Sequence, residues 1–335
     1  MKIAVAILNW NGKELLERFL PSVIEYSDKA QIYIIDNAST DDSIHFCATQ
    51  YPKTVTVIQN SNNLGYAGGY NEGLKTIDAD IYVLLNSDVK VTKGWLDPFI
   101  NAFDKNPKLA AAQPKIKDLN KPEFFEYAGA AGGFLDVLGY PFCRGRIFNH
   151  CEKDEGQYND TINIHWASGA CLFVRADVFR KVGGFDASYF AHQEEIDLCW
   201  RIRNEGYTIQ AIGGSEVFHL GGGTLSSSNP KKTFYNFRNS LFTLLKNATT
   251  KVAILAISQR LILDGIAGIY FLFQSKPKHT WSIVKAHFSF YTYFRVMSNK
   301  RKTLQQSPTA IQYPSILVPY FLKKIKTFDA LTKKK

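Results

Sequence analysis

The chain has 335 residues, 45% of them hydrophobic, which excludes a disordered polypeptide and gives room for one large α/β domain with an appendage. The net charge of +10 is unevenly divided, because Lys231 onward holds 19 Lys and Arg against only Asp264 and Asp329, whereas the first 230 residues carry 21 basic and 28 acidic side chains. The two parts are therefore expected to meet different partners.

The opening "MKIAVAILNWNGKELL" is apolar only as far as Asn9 and shows no cleavage pattern, so no signal peptide is expected and the domain is placed in the cytoplasm. The runs "KIAVAIL", "QIYIID", "TVTVIQ" and "DIYVLLN", near residues 2, 31, 54 and 80, read as strands. Stretches of helical spacing separate them, such as Leu15, Leu16, Phe19, Leu20 and Val23. That alternation predicts βαβ units in a mostly parallel sheet with right-handed crossovers. Polar clusters follow the strands, "NWNG", "DNAST", "NSNNLGYAGGYN" and "NSD", at the edge where open α/β sheets hold ligands.

Residues 120–165 have no clear period and read as an excursion lining a cleft. The pattern resumes at Trp166 with a strand and a helix that stops at Gly183-Gly184, and "AHQEEIDLCWR" then opens an acidic helix. "TIQAI" and "EVFHLGGGT" follow as further strands. Cys47, Cys143, Cys151, Cys171 and Cys199 are odd in number and never form CxxC, so free buried thiols are expected instead of disulfides or a zinc site.

Beyond Lys231 the chain is basic, aromatic and helical. Residues 252–273 have the length of a membrane span, but Arg260 and Asp264 interrupt them one turn apart, which favours a helix lying on a surface or in a bundle. The next helix interleaves aromatics with Lys285, Arg295, Lys300, Arg301 and Lys302, a pattern that suits an anionic membrane surface or an ordinary solvated face. No recognition motif accompanies the charge, so nucleic acid is not expected as a partner.

The spacing of Gly65, Gly68 and Gly69 is neither GxGxxG nor Walker A, which weakens dehydrogenase and ATPase readings. A glycine-rich turn before a helix still admits backbone N–H groups to a diphosphate or ribose. Asp36 can accept from a nucleobase N–H or a ribose hydroxyl, or can serve as a turn former. Asp88 ends the fourth strand, where a carboxylate is useful if a divalent ion bridging two phosphates is to be held. Glu194, Glu195 and Asp197 share the first turn of the acidic helix, with Asp197 four positions before Arg201.

The ordered set "VAILNWNG", "IIDNASTDDS", "NNLGYAGGYNEGL", "ADIYVLLNSDV", "SGACLFVRADVFRKVGGFD" and "YFAHQEEIDLCWRIRNEGY" resembles family 2 glycosyltransferases, most of all the rhamnosyltransferase-like branch that builds bacterial surface polysaccharides. The resemblance covers roughly residues 1–245 and implies a GT-A fold and inverting transfer of a sugar from a nucleotide-diphosphate donor to a hydroxyl of a glycan or lipid-linked acceptor. A nucleotide-sugar half at 1–119, an acceptor and catalytic half at 120–245 and a membrane-associating region at 246–335 follow, with the protein peripheral on the inner face of the membrane.

By the same resemblance Glu195 is the base, assisted by Glu194, while Asn9, Asn11, Asp36, Asn37, Asn62, Gly65, Gly69, Asn71 and Asn86 surround the nucleotide sugar; Arg238 or nearby Lys residues are candidates for helping to neutralise the departing diphosphate. Asp88 and His219 hold a divalent cation, Mg²⁺ or Mn²⁺, although Asn86 stands where the metal motif has its first acid. Adjacent Glu194 and Glu195 cannot straddle a sugar as the carboxylates of a glycoside hydrolase do. "NWNGKELL" lacks the basic glycine-rich loop of a nucleotidyltransferase, and a non-catalytic carbohydrate- or lipid-binding module remains the alternative.

Overall fold

Strand β1 (Ile3–Asn9) sends Ile3, Val5 and Ile7 into one apolar cluster and Ala4 and Ala6 into another, so the sheet around it is covered on both faces. The computed structural model describes residues 1–221, 229–306 and 313–332. From β1 the chain runs through α1 (Lys13–Tyr26), β2 (Gln31–Asp36), α2 (Ser43–Gln50), β3 (Val55–Gln59) and α3 (Gly65–Gly73). It continues through β4 (Ile81–Asn86), β5 (Val89–Val91), α4 (Asp97–Lys105) and β6 (Leu109–Asp118). The first four strands start within one residue of the apolar runs; β1, β2 and β4 are largely buried on both faces, which demands continuous Val, Ile and Leu, while β3 is the partly exposed edge.

The stretch without a period folds into a small second sheet of β7 (Gly133–Leu135), β8 (Pro141–Cys143), β9 (Arg146–Ile147) and β10 (His150–Cys151). Then come β11 (Thr161–Asn163), β12 (Cys171–Arg175), α5 (Ala176–Lys181), α6 (Glu194–Asn204) and β13 (Thr208–His219). The two strands expected around residues 208 and 216 are one strand, whose register slips between Ile212 and Glu216. Gly213 sits in that slip, where a Cβ would collide with the backbone of Tyr158 and Asn159.

The main sheet has the order β11-β13-β6-β12-β4-β1-β2-β3, with β5 joined to β13. Neighbours β1 and β2, β1 and β4, β2 and β3, and β6 and β13 are parallel, while β12 runs antiparallel to β4 and β6. This reversal brings the start of β12 to the edge formed by the C-terminal ends of β1, β2, β4 and β13. There the Asn86 N–H donates to the Ala170 carbonyl at 3.0 Å.

Helices α7 (Pro230–Asn247), α8 (Thr250–Phe273), α9 (Pro277–Lys302) and α10 (Phe328–Thr332) follow. Leu241, Phe242 and Leu245 of α7 pack with Phe290 and Met297 of α9, so the division expected at residue 245 runs through a helix whose buried face belongs with the later ones. In α8 the charges turn inward: Arg260 Nε donates to Asp264 Oδ1 at 3.0 Å and its guanidinium lies 4.1 Å from the Tyr140 ring centroid. Ile254, Leu255, Ile262, Ile266, Ile269 and Phe273 face outward instead. Finally Tyr313 and Phe328 pack against Phe134 and Phe142, which ties the C-terminal segment to the small sheet.

Candidate active site

The acidic helix starts from a strained approach. Phe190, His192 and Gln193 have φ of 64°, 68° and 72°, conformations that cost a non-glycine residue about 1–3 kcal/mol each unless the surroundings hold them. Here α7 holds them, because Asn239 Nδ2 lies 3.1, 3.0 and 2.7 Å from the carbonyl oxygens of Tyr189, Ala191 and His192. Arg238 Nη2 donates to the carbonyls of Ser188 and Tyr189, both at 3.1 Å, and Nε to Asn239 Oδ1 at 2.8 Å. Arg238 was expected beside the donor diphosphate; its observed work is instead to clamp the chain that carries the two glutamates.

Glu194 is buried and its Oε2 has no hydrogen-bond partner among the described residues. Burial, and then the charge of Glu195, raise its carboxyl well above the ordinary range, which favours the protonated form. Glu195 is only half buried. Burial raises it to about 7, against the backbone N–H groups of Glu195, Ile196 and Gln193 that favour its ionised form. It stands beside the start of β12: a Cβ on Gly169 would lie 3.9 Å from Glu195 Cβ and 2.8 Å from Tyr66 Oη, which donates to the Gly169 carbonyl. Asp197, by contrast, is structural, pairing with Arg201 at 2.9 Å and with Lys246 at 2.9 Å.

The loops after β1 and β2 are tied to each other. Asn9 Nδ2 donates to Asp36 Oδ1 at 3.1 Å and to Ser43 Oγ at 2.9 Å, and Asp36 Oδ2 accepts from the Ser39 N–H at 2.9 Å. Asn11 Oδ1 accepts from the Thr40 N–H at 2.7 Å. Asn37 donates to Asn63 Oδ1 and to the Gly65 carbonyl and accepts from Asn60 and the Leu64 N–H. Asn71 grips the backbone of Phe185 from both sides, at 2.7 and 2.9 Å.

Gly65 opens α3 at φ +70°, pressed against Phe190, while Gly69 faces the sheet, where a Cβ would meet Leu8 at 2.8 Å. These positions correct the expectation that Asn37, Gly69 and Asn71 surround the nucleotide, since their polar groups and free space are taken up by the protein, whereas Asn9 has its Nδ2 engaged but keeps a buried Oδ1 without a hydrogen-bond partner among the described residues. Asn62 is exposed and touches only Ser61 through its side chain. Asn11 and Asn62 lie at the surface and stay open to a ligand, whereas Asp36, with two of about four acceptor positions in use, is buried.

At the next strand ends, His219 Nε2 lies 3.1 Å from Asp88 Oδ1 and 3.5 Å from Asn86 Nδ2. Its other nitrogen lies 3.1 Å from Glu126 Oε2. Burial disfavours the charged ring, but Asp88 and Glu126 outweigh it and raise His219 to about 10. Among the described residues no three His, Cys, Asp or Glu side chains form a ready cation cage, because the two carboxylates occupy opposite sides of the imidazole. Asp88 and His219 fit a shared ion once the ring gives up its Nε2 proton: neighbouring ligands of an octahedral cation with bonds near 2.1 Å stand about 3 Å apart, the separation seen here.

The model of glycosyl transferase family 2 matches residues 4–183, more than half of the chain. The chain belongs to glycosyl transferase family 2. Within that family it falls in the rhamnosyltransferase-like branch: it is 30% identical over 236 residues to the N-acetylglucosaminyl-diphospho-decaprenol L-rhamnosyltransferase of Mycobacterium tuberculosis, spanning 65% of this chain and 75% of the relative. The low-salt glycan biosynthesis hexosyltransferase Agl10 of Haloferax volcanii is 22% identical over 222 residues, 65% and 66% of the two chains.

Among solved structures, S. aureus TarS 1–349 with UDP-GlcNAc has a TM-score of 0.56 at 12% identity, over 90% of each chain. The mannosyltransferase PcManGT from Pyrobaculum calidifontis, with GDP-Man and Mn²⁺, has 0.53 at 12%, over 87% of each. These likenesses show the GT-A fold.

The match to family 2 ends at Gly183, just before the acidic helix. Three members of this site escaped the sequence: Glu126 on His219, Tyr66 beneath Glu195, and Asn239 under the strained turn. Glu126 lies in the stretch without a period, and only the pairing of β6 with β13 brings it to His219. Tyr66 sits inside the glycine-rich motif, where the neighbouring glycines are the stronger signal. Asn239 offers no signal, because a helix asparagine reads as solvent-facing.

Proposed function

We propose that this family 2 glycosyltransferase transfers a sugar, with inversion, from a nucleotide-diphosphate donor to a hydroxyl of a glycan or lipid-linked acceptor, and that Glu195 is the base. The observation that carries this is a half-buried carboxylate ionising near pH 7 beside Gly169, one backbone pairing away from Asn86 and the Asp88 and His219 pair. Glu195 would take the proton of the attacking hydroxyl, and protonated Glu194 would shape the acceptor side without competing for it. Asp36, Asn11 and Asn62 would hold the nucleotide. A divalent cation held by Asp88 and His219 would supply positive charge to the departing diphosphate, a role supported by the Mn²⁺ present in the solved structures of GalNAc-T7 and the mannosyltransferase. The 30% identical relative, an L-rhamnosyltransferase, supports rhamnose as the sugar, and the glycan-biosynthesis hexosyltransferase supports a role in glycan assembly.

A thermal-shift panel of UDP, dTDP, GDP and their sugars, each with Mg²⁺, Mn²⁺ or chelator, tests the donor half. At 100 times its dissociation constant the right nucleotide should add about 2.7 kcal/mol of stability, and only with cation present. No shift with any of them would return weight to a non-catalytic binding module.

The same proposal puts the protein on the inner membrane face. Helix α8 is long and apolar enough to cross a membrane by length and composition, yet its charged side is buried in the protein and its apolar side is outward, which suits lying on the bilayer. Ile262 and Phe273 are 68% and 86% exposed. The triple change Ile262→Ser, Ile266→Ser, Phe273→Ser is expected to abolish flotation with phosphatidylglycerol vesicles while leaving the fold intact. Flotation equal to that of the unaltered protein would dismiss α8 as the anchor.

A further inference from the structure

No cationic side chain among the described residues favours the charge of Glu195. The titratable groups around it are Glu194 and Cys199 on its own helix, Tyr66 of α3 and Cys143 of β8, and burial pushes all four up. What favours the ionised carboxylate is backbone, through the N–H groups of Glu195, Ile196 and Gln193. Those of Glu195 and Ile196 point out of the first turn of α6 and are fixed by the helix itself. That of Gln193 lies outside the helix, on a left-handed residue with φ 72° and ψ 0°, and among the described residues it meets no backbone carbonyl. Something else has to aim it.

The peptide that carries this N–H also carries the His192 carbonyl. In a planar trans peptide the two point in opposite directions, so holding one end orients the other. Asn239 Nδ2 donates to the His192 carbonyl at 2.7 Å, the shortest of the three contacts that this fully buried amide makes with the turn. Among the described residues no other side chain donates to that carbonyl. The amide is itself held the right way round, because its Oδ1 accepts from Arg238 Nε at 2.8 Å.

We infer that Asn239 is a positioning residue for the base: by gripping the His192 carbonyl from α7, it turns the Gln193 N–H toward the Glu195 carboxylate on the other side of the same peptide. Being buried, Asn239 acts through that peptide and not on a substrate. The catalytic meaning of the contact rests on the transferase reading, whereas the contact itself is testable without turnover.

The test is a pH titration of the Glu195 carboxyl by carbon NMR on the full chain labelled at the glutamate carboxyls, the signal being assigned by its absence in Glu195→Gln. The unaltered protein is expected to titrate at about 7. Two variants remove the donor: Asn239→Leu, of similar size, and Asn239→Ser, small enough to admit water where Asn239→Leu does not fold. Both are expected to titrate at about 8 or above, the effect of losing one hydrogen bond to a charged group. Lys246→Met weakens the same region through Asp186 and Asp197 without touching the His192 carbonyl, so its midpoint should stay at about 7. An unchanged midpoint in the Asn239 variants would overturn the inference, as would an equal rise in Lys246→Met, which would assign the effect to general loosening. A midpoint raised in the Asn239 variants alone, in a protein that turns over no nucleotide sugar, would sustain the positioning contact and refute the transferase reading, so the two fail separately.

Discussion

Glu195→Gln is expected to lower kcat by about 10²–10⁴-fold, the usual contribution of a positioned general base, with nucleotide binding by thermal shift unchanged. Glu194→Gln is expected to do far less. Burial and the neighbouring charge push the Glu194 carboxyl well up and favour its neutral form, which an amide of similar shape imitates. The contrast separates two adjacent glutamates that the sequence alone cannot rank.

The pH dependence adds a second check. Glu195 is raised to about 7, and a base must be ionised to act, so kcat/KM should climb as pH rises through about 7 and level off above it. A limb at about pH 4 to 5, near the ordinary glutamate value, would mean that the acting base is not the half-buried Glu195. Loss of turnover in Glu194→Gln with retention in Glu195→Gln would move the base by one position.

Lys246→Met should destabilise the fold by about 3–5 kcal/mol, the cost of leaving buried charges without their partner. Lys246 is fully buried between Asp186 Oδ2 at 2.6 Å and Asp197 Oδ1 at 2.9 Å, with its ammonium 5.1 Å from the Tyr189 ring centroid. A loss of that size removes much of the roughly 5–15 kcal/mol by which domains are ordinarily stable and is read by urea unfolding. Lys300→Met supplies the comparison: Lys300 also pairs with Asp186, at 2.6 Å, but is partly exposed, so it should cost about 1 kcal/mol or less.

Burial would raise both aspartates, yet Lys246, with Lys300 on Asp186 and Arg201 on Asp197, outweighs it and holds them below the ordinary range. A carboxyl with a lowered pKa contributes stability at neutral pH that is lost as pH falls. The gap between the unaltered protein and Lys246→Met is therefore expected to persist at about pH 7 and to narrow below about pH 4. The cluster involves Asp197 of α6, so a small stability effect in Lys246→Met would mean that the turn carrying Glu194 and Glu195 owes its rigidity to other contacts.

Alternation and period made the sheet legible. β1, β2 and β4 are largely buried on both faces, which favours continuous runs of Val, Ile and Leu, while β3 at the sheet edge is only partly covered, and a polar cluster follows each run at the edge where open α/β sheets hold ligands. Helical spacing likewise put Glu194 and Glu195 in a first turn, and i,i+4 spacing paired Asp197 with Arg201. Local interactions of that kind are written in neighbouring residues.

Contacts across the chain are not. Asn37 and Asn71 have the chemistry of ligand-binding residues, and only the packing of loops on one another shows their amides engaged by backbone and side chains elsewhere. Glu126 joins His219 because two distant segments meet at the same sheet edge. In α8, Arg260 and Asp264 break an apolar run and read as its surface side; the fold buries them against Tyr140, Ser240 and His287 and turns the aliphatic side outward. Periodicity reports that a helix has two faces. Which face meets protein is decided by the partners that tertiary structure brings to it, here a set of buried polar groups able to satisfy a charge that neither lipid nor a dry core would accept unpaired.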